Sequence, residues 1–371
     1  MTHSPLRGSP RTRWSSLPLV LAACVLAGCA TSGGSPDPAQ LPLPEGVPRD
    51  AALPGESHLT NVRMLTFGGQ NAEAYWDYDD SHLILQSTRD GVDCDQIFIM
   101  DVATGETTQL TDSGRTTCAY FLPHSDRVIF ASTHEADEAC PPEPDRSMGY
   151  VWAVYDGYEI YTAERDGSGL VNVSNSPGYD AEATVARDGR IVFTSDRSGD
   201  LELWSMNAEG GDLVQLTDEP GYDGGAFYSF DGSMICWRRS RFDSPDEVAD
   251  YQRLLGQGLV RPSKMELWVM NADGTDKRQV TDNGKANFGP FFTPDGGSLL
   301  FSSNLGSDNG RIFDIWKIDL ASGELEQITH TGDSFDGFPM FSWDGRRLVF
   351  ASNRYNALDR ETNVFIADWV P

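Results

Sequence analysis

Four kinds of short segment recur in the same order along this chain, and few folds can bury the apolar residues of such units. The first ends in a turn, as in Phe227-Tyr-Ser-Phe-Asp231-Gly232 and Phe291-Phe-Thr-Pro-Asp295-Gly296. An apolar strand follows, such as Leu299-Leu-Phe-Ser-Ser303 or Leu348-Val-Phe-Ala-Ser352, and then an alternating one, such as Glu202-Leu-Trp-Ser-Met-Asn207. A glycine turn leads to a fourth segment ending in Gln109-Leu-Thr111, Gln215-Leu-Thr217, Gln279-Val-Thr281 or Gln327-Ile-Thr329. Short strands joined by Asp-Gly and x-Gly turns make an antiparallel meander. One meander exposes two apolar faces; stacked around an axis, several bury them and protect their edges.

Fourth-strand ends at Thr66, Thr111, about Ser174, Thr217, Thr281 and Thr329 count six units. The sequence therefore predicts an all-β, six-bladed β-propeller of four-stranded antiparallel blades over residues 59–371. The chain ends are complementary. Asn61-Val-Arg-Met-Leu-Thr66 matches a fourth strand with no preceding three, and Asn363-Val-Phe-Ile-Ala-Asp368 a third strand with no successor. The N-terminal strand should complete the last blade, hiding an edge and closing the ring. A rod-like β-solenoid, the structural rival, would not need complementary ends.

The Asp-Gly turn, the endings Ser195-Asp-Arg197 and Ser352-Asn-Arg354 and the Gln-Leu-Thr strand end resemble PD40, or WD40-like, repeats. These occur in TolB-like propellers and in those of the prolyl oligopeptidase and tricorn type. The resemblance runs from Leu59 to Val370 and implies the fold; one fold hosts many activities, so it assigns none.

Ahead of the repeats, Arg7, Arg11 and Arg13 precede an apolar run from Leu17 to Ala27, the form of a secretory signal over residues 1–28. Leu26-Ala27-Gly28-Cys29 resembles the bacterial lipobox, which implies lipidation (palmitate included) of Cys29 and cleavage before it. Ala30 follows rather than Asp, which by the same resemblance implies the outer membrane, facing the periplasm, over the inner. Residues 29–58, rich in Pro, Gly, Ser and Ala, read as a flexible tether.

Loss of the signal removes three arginines and no acid from 28 basic and 56 acidic residues, leaving a net charge of −31. Such a chain repels nucleic acid. Of six cysteines, Cys94, Cys118, Cys140 and Cys236 remain to fold in an oxidising compartment. Cys236 sits in a strand-like run and reads as a buried thiol. Cys94–Cys140 is the favoured disulfide, with Cys94–Cys118 the alternative.

Fourth-to-first and second-to-third connections share one face of a propeller. Six residues of the fourth-to-first connections, Glu73, Asp180, Glu182, Asp223, Asn287 and Asp336, are candidates to ring the channel mouth. Oxygen ligands of this kind suit calcium or magnesium; alternatively, they hydrogen-bond the turns of their own blades. Two insertions, 134–158 and 240–264, interrupt second-to-third connections on this face. The first carries Tyr150, Trp152, Tyr155 and Tyr158, which either wall a ligand site or pack the insertion onto the blades. The second opens Ser244-Pro245-Asp246-Glu247, predicting a capped helix with Val248, Tyr251 and Leu255 on one stripe.

No Gly-x-Ser-x-Gly elbow occurs, and His134-Glu135 lacks a second histidine four residues on. His82, His124 and His330 read as surface or capping groups. The sequence points first to a monomeric lipoprotein whose propeller is a binding platform for an envelope protein, peptide or glycan, without cofactor. The alternative is a metal-assisted hydrolase or polysaccharide lyase working at the mouth.

Overall fold

The computed structural model describes residues 43–44 and 46–371, apart from 90, 148, 309 and 359. Cys29 and the expected signal segment lie outside these residues. Strand β1 (Leu59–Met64) opens the fold. Blade 1 comprises β2 (Gln70–Trp76), β3 (His82–Thr88), β4 (Gln96–Asp101) and β5 (Thr107–Gln109). In blade 2, β6 (Thr116–Phe121) and β7 (Arg127–Ser132) are separated by the short strand β8 (Trp152–Ala153) from β9 (Glu159–Glu164) and β10 (Val171–Asn172). Blade 3 holds β11 (Asp180–Val185), β12 (Ile191–Ser195), β13 (Glu202–Met206) and β14 (Val214–Gln215). Blade 4 runs through β15 (Asp223–Tyr228), β16 (Met234–Ser240), helix α1 (Pro245–Leu255), the short strand β17 (Leu259–Val260), β18 (Met265–Asn271) and β19 (Arg278–Gln279). Blade 5 holds β20 (Asn287–Phe292), β21 (Ser298–Ser303), β22 (Asp314–Asp319) and β23 (Leu325–Gln327). Blade 6 holds β24 (Asp336–Phe341), β25 (Arg347–Ser352) and β26 (Asn363–Trp369), completed by β1. Leu59 pairs with Trp369 and Met64 with Phe365, so the chain's two ends close one sheet.

The repeat has a hydrogen-bond logic. At the end of each fourth strand a hydroxyl accepts the N–H that opens the third strand: Ile97 to Thr111 at 2.9 Å, Ile160 to Ser174 at 2.8 Å, Leu203 to Thr217 at 2.8 Å. Leu267 to Thr281, Ile315 to Thr329 and Val364 to Thr66 repeat it at 2.8, 2.8 and 2.9 Å. The glutamine two residues earlier donates Nε2 to the threonine carbonyl, as Gln109 does at 2.8 Å. In the Asp-Gly turns the aspartate accepts from the backbone two residues on, as Asp231 does from Ser233 at 3.0 Å. The core between blades is aromatic: Trp76, Phe121, Phe193, Trp237, Phe292, Phe341 and Phe365 are fully buried. Each such side chain contributes about 1.5–3 kcal/mol.

Part of the expected tether is fixed. Ala51 and Glu56 are buried, and the Ala51 N–H donates to Val62 O at 2.7 Å. Glu56 receives two hydrogen bonds from Arg354, at 2.9 and 3.0 Å. The Pro/Gly composition suggests a free linker up to residue 58, but Glu56 supplies a counter-charge that Arg354 needs inside the protein.

Candidate ligand-binding site at the propeller mouth

All six inner strands break register at the same place. In β2, Ala72 pairs with Gln86 and Tyr75 with Ile84, so Glu73 and Ala74 stand opposite Leu85 alone. The same two-against-one bulge recurs in β6, β11, β15, β20 and β24. Its first residue has positive φ each time: Glu73 51°, Cys118 51°, Glu182 58°, Gly225 57°, Gly289 53° and Phe338 54°. A left-handed residue at a bulge re-aims its side chain, and holding non-glycines there costs roughly 1–3 kcal/mol each. Glu73, Cys118, Glu182 and Phe338 thereby line the axial cavity.

Gly225 lacks a side chain because Arg238 lies over it; a Cβ there would collide with the guanidinium Nη1. Arg238 donates to Glu182 Oε1 at 2.5 Å and to the Tyr222 hydroxyl at 2.9 Å. Glu182 Oε2 accepts from Thr194 Oγ1 at 2.8 Å and from Gly225 N at 3.0 Å. Phe338 lies beside Gly289, where a Cβ would only reach van der Waals contact with its ring, at 3.4 Å. The ring is thus two-sided, polar across blades 1–4 and aromatic across blades 5 and 6, where Phe288, Phe313 and Phe335 continue the wall.

Below the ring the channel is shut. Tyr75 touches Tyr120 and, from the opposite blade, Phe227, both with centroids 5.5 Å apart, and Phe227 meets Phe291 at 5.4 Å. Above it, the two insertions join: Trp152 of β8 pairs with Val260 of β17, and Ala153 with Leu259. This clasp reaches past blade 3. Helix α1 supports it, with Ser244 accepting from Glu247 N at the N-cap and Tyr251 and Leu254 buried. Tyr251 also donates its hydroxyl to Asp200. The cavity the insertions border measures ≈1240 Å³.

The four insertion aromatics have different fates. Tyr158 is buried against Tyr179. Trp152 lies 5.2 Å from Phe288 and beneath Arg238, at 5.5 Å, so it both packs and lines the cavity. Tyr155 donates its hydroxyl to Pro142 O at 2.8 Å, and Tyr150 stands exposed at the rim, 3.0 Å from Trp152 Nε1. Cys94 and Cys140 are disulfide-bonded with Cα atoms 5.9 Å apart, tying the first insertion to the segment just before β4; Cys118 and Cys236 are free.

Only Glu73 and Glu182 of the six nominated residues reach the cavity. Asp180, Asp223, Asn287 and Asp336 are fully buried inside their blades instead. Asp180 accepts from Arg197 at 2.8 Å, Asp223 from Trp237 Nε1 at 2.6 Å, Asn287 from Ser303 at 2.7 Å and Asp336 from Arg354 at 2.8 Å. The physical reason is the bulge: the first strand residue faces the second strand, and the third faces the axis. These four serve their blades, and a cation cage built from all six at the mouth does not form. Among the described residues, one trio of potential ligands elsewhere, Asp77, Asp79 and His82, surrounds a turn in which Asp77 already accepts from Ser81, His82 and Arg165.

The two cavity carboxyls are tuned apart. Burial pushes Glu73 up to about 7; a hydrogen bond to Cys118 opposes the rise and the Glu182 charge adds to it. Burial would raise Glu182 too, but the Arg238 charge and hydrogen bonds from Arg238, Thr194 and Tyr222 hold it below its ordinary value. The folded protein keeps the Glu73 proton to about pH 7, whereas an unfolded chain releases it near 4.5. The native state therefore binds more protons across this window, and stability falls as pH rises through it. Glu73→Gln should raise the melting temperature at pH 8 and barely change it at pH 4. Equal shifts at both values would contradict the raised carboxyl.

No family model matches this chain, and no curated protein does. Among solved structures, a putative TolB from Agrobacterium tumefaciens is 17% identical, with a TM-score of 0.53 over 82% of this chain and 91% of that one. The fold is that of the TolB-like propellers. TolB from Acinetobacter baumannii is 15% identical at a TM-score of 0.51, covering 81% of this chain and 64% of its own. An oligogalacturonate lyase in complex with manganese is 16% identical at 0.50, covering 85% and 94%. These TolB-like neighbours include an enzyme, so the fold alone does not choose a role.

Proposed function

We propose that this protein is a lipid-anchored binding protein of the bacterial envelope, whose mouth cavity receives the end or a loop of a peptide or glycan chain. The cavity carries this reading. It is closed below by the Tyr75–Phe227 plug, roofed on one side by the β8–β17 clasp, and walled by aromatics with a few polar groups on its floor. Such concave, mostly apolar spaces with convergent polar groups are the usual form of ligand sites. The tetrad Leu26-Ala27-Gly28-Cys29, the charge of −31 and the Cys94–Cys140 bridge suit an anchored, monomeric, oxidised protein outside the cytoplasm.

Screening the mature chain and its Trp152→Ala variant against peptide and oligosaccharide panels tests the proposal. Ligands of the parent should bind the variant about tenfold more weakly, equivalent to about 1.4 kcal/mol. Ligands indifferent to Trp152 would refute the mouth as the site.

A metal-assisted hydrolase or polysaccharide lyase draws on one observation, the opposed tuning of Glu73 and Glu182. Against it, Glu182 already accepts from Arg238, Thr194 and Gly225, which leaves it poorly placed as a base. Binding is the better-supported reading.

A further inference from the structure

Resting on that reading of the cavity, we propose that the group bound at its floor is the free amino terminus of a peptide. Its ammonium would pair with Glu73, and its first carbonyl oxygen would accept from Arg238. Three observations lead there.

The first is charge balance. The groups facing Glu73 are Cys118 from blade 2, Glu182 from blade 3, Arg238 from blade 4, Tyr75 on its own strand and, further off, Asp95. Arg238 is committed to Glu182. Asp95 lies 3.9 Å from Arg115, so with Glu73 ionised the charges of Glu73, Glu182, Asp95, Arg238 and Arg115 sum to minus one; one monovalent cation completes them, and without it Glu73 keeps its proton. The second is the unfilled donor capacity of Arg238. This residue is 6% exposed and lines the cavity, yet its Nε has no acceptor, and no described residue accepts from Nη1, which lies over Gly225. Leaving the buried Nε donor without an acceptor is costly, and Nη1, lying over Gly225 on the cavity side, is the donor that a ligand oxygen there would meet.

The third is placement. Glu73 and Arg238 belong to blades 1 and 4, which face each other across the axis, and Tyr75 and Phe227 of these same blades touch directly beneath. A ligand group resting on that plug meets an acid on one side and a donor on the other. An α-ammonium followed by a carbonyl has this polarity. A lysine side chain provides the cation without the adjacent acceptor. The charge of −31 on the mature chain also favours approach of a cationic end.

Calorimetric titration with trialanine amide and N-acetyl-trialanine amide, in two buffers of different ionisation enthalpy, tests the assignment. The free peptide should bind at least about tenfold tighter than the acetylated one. At pH 5.5 its binding should release close to one proton, as Glu73 ionises against the ammonium, and affinity should rise about tenfold or more by pH 7. Glu73→Gln should abolish the proton release and the preference while remaining folded by circular dichroism. Equal affinity for both peptides overturns the assignment and leaves the cavity reading intact. Binding of neither peptide also overturns it, and the Trp152 test then decides separately whether the cavity binds anything.

Discussion

A chain shortened to begin at Phe67, and so lacking β1, is expected to lose cooperative unfolding altogether. Leu59, Val62, Met64 and Leu65 are all buried against the last blade. At about 1.5–3 kcal/mol each they account for roughly 6–12 kcal/mol, an upper figure because unfolded chains are partly compact. The net stability of a domain is about 5–15 kcal/mol. The truncation would also bare the edge of β26, a template for aggregation. Calorimetry should show a broad or absent transition. A sharp melt within a few degrees of the intact chain would mean that blade 6 stands on three strands, and that the ring does not depend on its closure.

Replacing Arg354 should have the next largest effect. Its guanidinium joins Glu56, from the segment before β1, to Asp336 at the start of β24, and all three side chains are buried. Burial raises the Asp336 carboxyl and the Arg354 charge opposes that rise. Arg354→Met strands two carboxylates in the interior, and breaking such a cluster from one side typically costs about 3–5 kcal/mol. Denaturant titration should register this loss, and adding Glu56→Gln and Asp336→Asn should recover most of it. A loss below about 1 kcal/mol would show that water reaches the cluster.

The architecture was legible because its signals are local and repeated. Asp-Gly turns, alternating strands and Gln-Leu-Thr ends each form their hydrogen bonds within one blade, so six copies reinforce one reading. The complementary ends near Met64 and Phe365 disclosed the closure for the same reason. The site was only half legible. Asp180 and Glu182 are two residues apart in one motif, yet one faces Arg197 and the other the axis, because a bulge invisible to simple alternation lies between them. A clue existed at the third position of each inner segment, where glycines at 225 and 289 stand level with Glu73, Cys118 and Glu182. Arg238 was missed outright. It occupies a strand position held in other blades by Gln86, Ala131, Thr194, Ser302 and Ala351, and its charge marks it out. Glu56 escaped notice because its partner lies 298 residues away.

Among the described residues, the rings of Tyr75, Tyr120, Phe227 and Phe291 meet across the axis beneath the cavity, so its opening lies on the side of the joined insertions. On the proposed reading, a ligand entering the cavity would leave past Trp152, so its residence time would follow how readily the two joined loops part.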